Sequence, residues 1–125
     1  MRASKADLPA TVLGEYEGRT VDWGEIRVAF ESMPAGFPAD ESPFKGLPDD
    51  RCQCPHWGYL AKGSARVSYT DGPDEIIRAG DVYHLRPGHF FQAIEPVEVI
   101  EFSPVHEHDK TMAVVMANVE AAMAT

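Results

Sequence analysis

Between Ser64 and Phe102 the chain turns back on itself at Asp71-Gly72-Pro73, Ala79-Gly80-Asp81 and Arg86-Pro87-Gly88, and this spacing constrains the fold more than any other feature. The stretches between these turns suit short strands, with no helix separating them. Ala65, Val67 and Tyr69 alternate with Ser64, Arg66 and Ser68, and Glu75 to Arg78 resumes beyond the Asp71-Gly72 turn as the partner of a hairpin. Val82 to Leu85 and Val97 to Phe102 read as further strands, the latter ended by Pro104. Upstream, Ile26, Val28 and Phe30 alternate with Glu25, Arg27, Ala29 and Glu31, the period of a strand with one wet face. Such a succession predicts an all-β chain closed as an antiparallel barrel or jelly roll, not a parallel α/β sheet. One helix is expected at the end, over residues 109–123, with Asp109 as N-cap and Met112, Val115, Met116, Val119 and Met123 as its apolar stripe. That stripe packs on the barrel or serves as a dimer surface.

A length of 125 residues fits one domain spanning 1–125, too small for separate cofactor and substrate lobes. With 11 Lys and Arg against 20 Asp and Glu, the formal charge of −9 disfavours nucleic acid and anionic membrane surfaces as partners. No apolar run approaches the roughly 18 residues of a membrane span, and Met1 to Gly18 lacks the apolar block of a secretory signal, so the cytoplasm is the expected compartment. Cys52 and Cys54 are too close to form an unstrained bridge and read as thiols. Pro34 to Pro55 holds half of the ten prolines. It is expected to be a long loop, either a mobile lid or a surface excursion tied down by Phe37 and Phe44.

The chemically dense segment runs from Asp50 to Gly58. Asp50, Cys52, Cys54 and His56 share parity, so on an extended strand all four would project from one face. Thiolates and imidazoles suit zinc, iron, copper or nickel, and a few on one strand need only one ligand from elsewhere, for which His89 is the obvious candidate. The plainer alternative makes each cysteine a small buried hydrophobe. His84, His106 and His108 read as solvated or capping residues. Trp57, Tyr59, Tyr83, Phe90 and Phe91 offer an aromatic wall for an apolar ligand. The sequence holds no Ser-His-Asp arrangement, no phosphate-cradling glycine loop and no evident acid/base carboxylate pair, which argues against hydrolase, nucleotide-binding and glycosidase functions.

The stretch from His56 to Gly88, with Tyr59-Leu60-Ala61-Lys62-Gly63, then Gly80-Asp81 and Pro87-Gly88, resembles the two signature motifs of the cupin superfamily as found in small one-domain bacterial cupins. The resemblance covers the central third of the chain. His56, seven residues before Gly63, takes the place of the third ligand of the first motif. Cys52 and Asp50 stand where that motif has its two histidines, and Phe91 stands where the second motif has its own, with His89 two residues earlier. The resemblance implies a cupin-type barrel in which Cys52, His56 and His89 hold one divalent transition metal (Zn, Fe, Cu, Ni or Mn), with Cys54 as a fourth ligand or a close neighbour. It implies a small organic substrate and an oxygenase or isomerase type of chemistry. The alternative is a non-catalytic barrel that binds or senses a small ligand, with a structural metal or none. A homodimer is left open.

Overall fold

In the computed structural model, which describes residues 1–124, strand follows strand: β1 (Ala10–Leu13), β2 (Tyr16–Trp23), β3 (Ile26–Met33), β4 (His56–Lys62), β5 (Ser64–Tyr69), β6 (Gly72–Arg78), β7 (Val82–Leu85), β8 (His89–Ala93) and β9 (Val97–Pro104). The first sheet runs β1-β2-β3-β9-β4-β7 and the second β6-β5-β8, with every named pairing antiparallel. This is the jelly-roll arrangement that the turn spacing predicts.

β5 and β7 fall where the alternation places them, whereas β6 starts at Gly72, inside the expected turn. The β1–β2 hairpin leaves no clear apolar period, because β2 carries Glu17, Arg19, Thr20 and Asp22 and only Gly18 is buried in it. Its place is held by ladders to β1 and β3 on its two edges.

The helix differs from expectation at its start. α1 spans Val105–Met123 and leaves β9 without a loop, with Pro104 as its N-cap residue. The Val105 N–H donates to the Glu25 carbonyl (2.9 Å), which satisfies one of the open donors of the first turn. Asp109 therefore lies inside the helix and does not cap it; its Oδ1 accepts from Arg27 Nη1 at 2.7 Å.

The proline-rich segment is not structureless. It forms 3-10 turns at Ser42–Phe44 and Pro48–Asp50. Phe37 stacks on Tyr16 (5.6 Å between ring centroids) and Phe44 meets Phe90 edge-on (6.3 Å). Asn118 of α1 donates to the carbonyls of Pro43 and Lys45, each at 2.9 Å, so the segment and α1 are tied to one another.

The interior is graded along the strands. β9 turns Val97, Val99, Glu101 and Ser103 inward, apolar residues first and polar ones toward α1. β4 matches it, with Leu60 opposite Val99 and His56 at the polar end. Leu60, Ala65, Val67, Ile77, Ala93, Val97 and Val99 make the apolar end a packed core, which Leu85, opposite His56, continues toward the polar end. Leu60 has no exposed surface, and Leu60→Ala is expected to lower the unfolding free energy by about 2–5 kcal/mol in a denaturant melt.

Candidate metal centre

Asp50, Cys52, Cys54 and His56 do not share one strand, because β4 begins only at His56. Asp50 ends a 3-10 turn in a left-handed conformation (φ 53°), and its Oδ1 accepts from the Gly46 N–H at 3.1 Å on the surface. It is a turn residue and stands away from the donors. Cys52 is placed by a bridge to β8: its N–H donates to the His89 carbonyl (3.2 Å), and its carbonyl accepts from Gly88 (2.8 Å). That bridge, joining the cysteine segment to the Pro87-Gly88 turn, brings His89 to the site. Phe91, two residues along the same face of β8, packs against the core instead.

One ligand atom each from Cys52, His56 and His89 lies within 4.8 Å of the other two. All three residues are buried, at 6, 7 and 3% exposure. Cys52 Sγ is 3.6 Å from His56 Nε2. Cys54 is fully buried beside the three but outside the group; its thiol donates to the Pro55 carbonyl (3.4 Å), and burial pushes it up to about 11. It holds its proton at neutral pH.

Both imidazoles are held from behind. His56 Nδ1 lies 2.6 Å from Ser103 Oγ and 2.9 Å from Glu101 Oε1. His89 Nδ1 donates to the Arg86 carbonyl (2.7 Å). This leaves Nε2 of each ring as the free ligand nitrogen, the arrangement that carboxylates and carbonyls impose on metal-binding histidines. Burial opposes charge throughout the cluster, and mutual attraction overcomes it. Cys52 falls to about 6 because His56 and His89 outweigh its burial; Glu101 falls to about 2, chiefly through His56, against its own burial; His56 rises well above its ordinary value, chiefly through Glu101. The donor set, one thiolate and two oriented imidazoles, fits a borderline divalent ion.

The residues behind the donors are not evident from the metal motif. Tyr83 of β7 donates to Glu101 Oε2 (2.6 Å) across β4, where Gly58, the register partner of both residues, has no side chain to block it. A Cβ on Gly58 would lie 2.5 Å from the Tyr83 hydroxyl oxygen. The same device recurs on β2, where Tyr16 reaches Glu31 (2.7 Å) over Gly18, the register partner of Glu31. Burial, then the charge of Glu101, push the Glu31 carboxyl from the ordinary 4.5 up to about 7. The folded protein therefore keeps a proton that the unfolded chain releases. The stability this contributes is complete below about pH 4.5 and is lost as pH rises through about 7. Glu31→Gln should accordingly make urea stability fall less than in wild type between about pH 5 and pH 8.

The remaining histidines separate. His84 is exposed and stacks on Trp57 outside the barrel (4.8 Å, 5° between planes), and His106 is exposed. His108 is partly buried, with its ring 6.1 Å from that of His56. The aromatic wall is broken up, because alternation on β4 turns Trp57 and Tyr59 outward at 46 and 41% exposure. Tyr83, Phe90 and Phe91 stay within the protein.

No family model and no curated protein matches the sequence. Solved structures of Bacillus subtilis oxalate decarboxylase match by fold: a serine-to-alanine variant and the enzyme at pH 4.6 are each 17% identical with a TM-score of 0.60, and a tryptophan-to-tyrosine variant is 18% identical with a TM-score of 0.57. Each alignment covers 82% of this chain and 28% of the other, so the chain spans little more than a quarter of those enzymes. Another matching structure of that enzyme concerns its Mn(II) centres. With its two antiparallel sheets, its C-terminal helix and these neighbours, the chain has the cupin fold.

Proposed function

We propose that this chain is a single-domain metal-binding cupin that holds one divalent transition ion on Cys52, His56 and His89 and acts on a small organic molecule. The observation that carries this reading is the convergence of three buried donors whose imidazoles are oriented from behind by Glu101, Ser103 and the Arg86 carbonyl. Three protein ligands leave a coordination position open, as catalytic sites do and structural zinc sites do not. A bound ion would supply a Lewis acid or redox centre of the kind oxygenases and isomerases use. The thiolate favours zinc, copper, iron or nickel over manganese. Glu101 holds the His56 ring in place and balances its charge, and the His108 ring lies edge-on to that of His56.

The burial of the donors favours a second reading, a barrel that binds or senses a ligand without turnover. Elemental analysis of protein purified without added metal, followed by cobalt substitution and azide addition, tests both. About one equivalent of ion with a cobalt spectrum that shifts on azide supports the open site. An unshifted spectrum supports the closed one, and no uptake of any transition ion rejects the metal-binding reading.

The cytoplasm is the proposed compartment; no helix among the described residues is long and apolar enough to cross a membrane. A homodimer is proposed through the outer face of the larger sheet. There Trp57 pairs with Phe102 and Tyr59 with Val82, all exposed. Sedimentation velocity should find a dimer that Phe102→Lys converts to monomer; a monomeric wild type overturns the assignment.

A further inference from the structure

We propose that His108 is a ligand-binding residue of this site, whose Nε2–H donates to an acceptor atom of a small anionic molecule held at Cys52, His56 and His89. This rests on the metal-centre reading.

Arg27 can only donate. Its Nη1 lies 2.8 Å from His108 Nδ1, so that nitrogen accepts and the proton of the neutral ring sits on Nε2. Arg27 is fixed in turn by both oxygens of Asp22 (2.8 and 2.9 Å) and by Asp109 (2.7 Å), which keeps the lock closed. The ring meets that of His56 edge-on at 6.1 Å but contributes no atom to the three-donor group. Arg27 also faces Ser103 across the β3–β9 ladder, and Ser103 contacts His56, so the lock and the donor set share one end of the barrel. Among the described residues, no protein acceptor takes the Nε2–H, and since no buried side-chain nitrogen or oxygen lacks a partner there, this nitrogen is open to an incoming molecule. A neutral histidine forced to donate beside an open metal position selects an acceptor, such as a small carboxylate or a simple anion.

Two measurements test this. In metal-free protein at neutral pH, long-range ¹H–¹⁵N spectra should show His108 as the Nε2–H tautomer, and the Nδ1–H tautomer overturns the proposal. In cobalt-loaded protein, titration with azide should show His108→Leu binding about tenfold more weakly than wild type, the scale of one lost hydrogen bond to a charged acceptor, with His108→Gln close to wild type and cobalt stoichiometry unchanged in both. Arg27→Gln, which opens the lock without removing the ring, should also weaken azide and spare cobalt, and serves if the leucine variant does not fold. Unchanged azide binding in His108→Leu and Arg27→Gln, or loss of cobalt from His108→Leu, overturns the role of His108 alone. A wild type that takes up no cobalt overturns the metal-centre reading and this proposal together.

Discussion

His56→Ala is expected to leave less than about a tenth of an equivalent of metal bound after dialysis, where wild type keeps close to one. The variant removes one of only three donors, and it also removes the group that balances Glu101. A buried carboxylate that loses its partner typically costs about 3–5 kcal/mol, so the variant should also melt early in metal-free buffer. Glu101→Gln separates the two effects. It leaves the ligand atoms in place, and its expected loss is about 10–100-fold in metal affinity. Proton release should follow the same logic. With Cys52 at about 6 and His56 held well above its ordinary value, the metal-free site at neutral pH is a thiolate beside an imidazolium. Binding therefore releases mainly the His56 proton, and affinity should fall further as pH drops through about 6 and the thiol is reprotonated. Calorimetry in buffers of different ionisation enthalpy measures that release.

The second large effect is on the fold. Gly63 joins β4 to β5 at φ +88°, and a Cβ there would overlap the Pro96 carbonyl oxygen and lie 3.0 Å from its carbon and 3.1 Å from Val97 Cγ1. Backbone cannot step aside as a side chain can. Gly63→Ala combines about 1–2 kcal/mol for the left-handed conformation with about 1–3 kcal/mol of overpacking. Thermal unfolding should fall by at least about 10 °C. Gly80→Ala is the control: at φ +95° but with open space around it, it should show only the handedness part.

These two residues also mark what the sequence makes legible. Gly63 and His56 stand at the cupin spacing, and Cys52 and His89 follow from donor chemistry near the two motifs. Asp50 misleads, because parity assumes an extended chain and residues 48–50 turn instead. Glu101 was within reach, since it shares parity with Val97, Val99 and Ser103 and so must point inward wherever Val97 does. Tyr83 was not, because its path to Glu101 depends on a three-strand register that places Gly58 between them. His108 is masked by its neighbour Asp109, which reads as a cap until the β9–α1 junction shows the helix already under way at Val105.

The direct passage from β9 into α1 bears on the order in which a ribosome delivers this site. Cys52, Cys54 and His56 are made well before Glu101, Ser103 and His108, and domains begin to organise from their earlier segments as synthesis proceeds. For that interval the nascent chain offers an unshielded Cys-x-Cys-x-His cluster with no carboxylate behind the histidine and no His108 beside it. A thiophilic ion met then has the loose cluster as its host, and the later arrival of β9 and α1 encloses whatever is already there. Protein made under different metal supplies is therefore expected to carry different ions, which elemental analysis of each preparation measures.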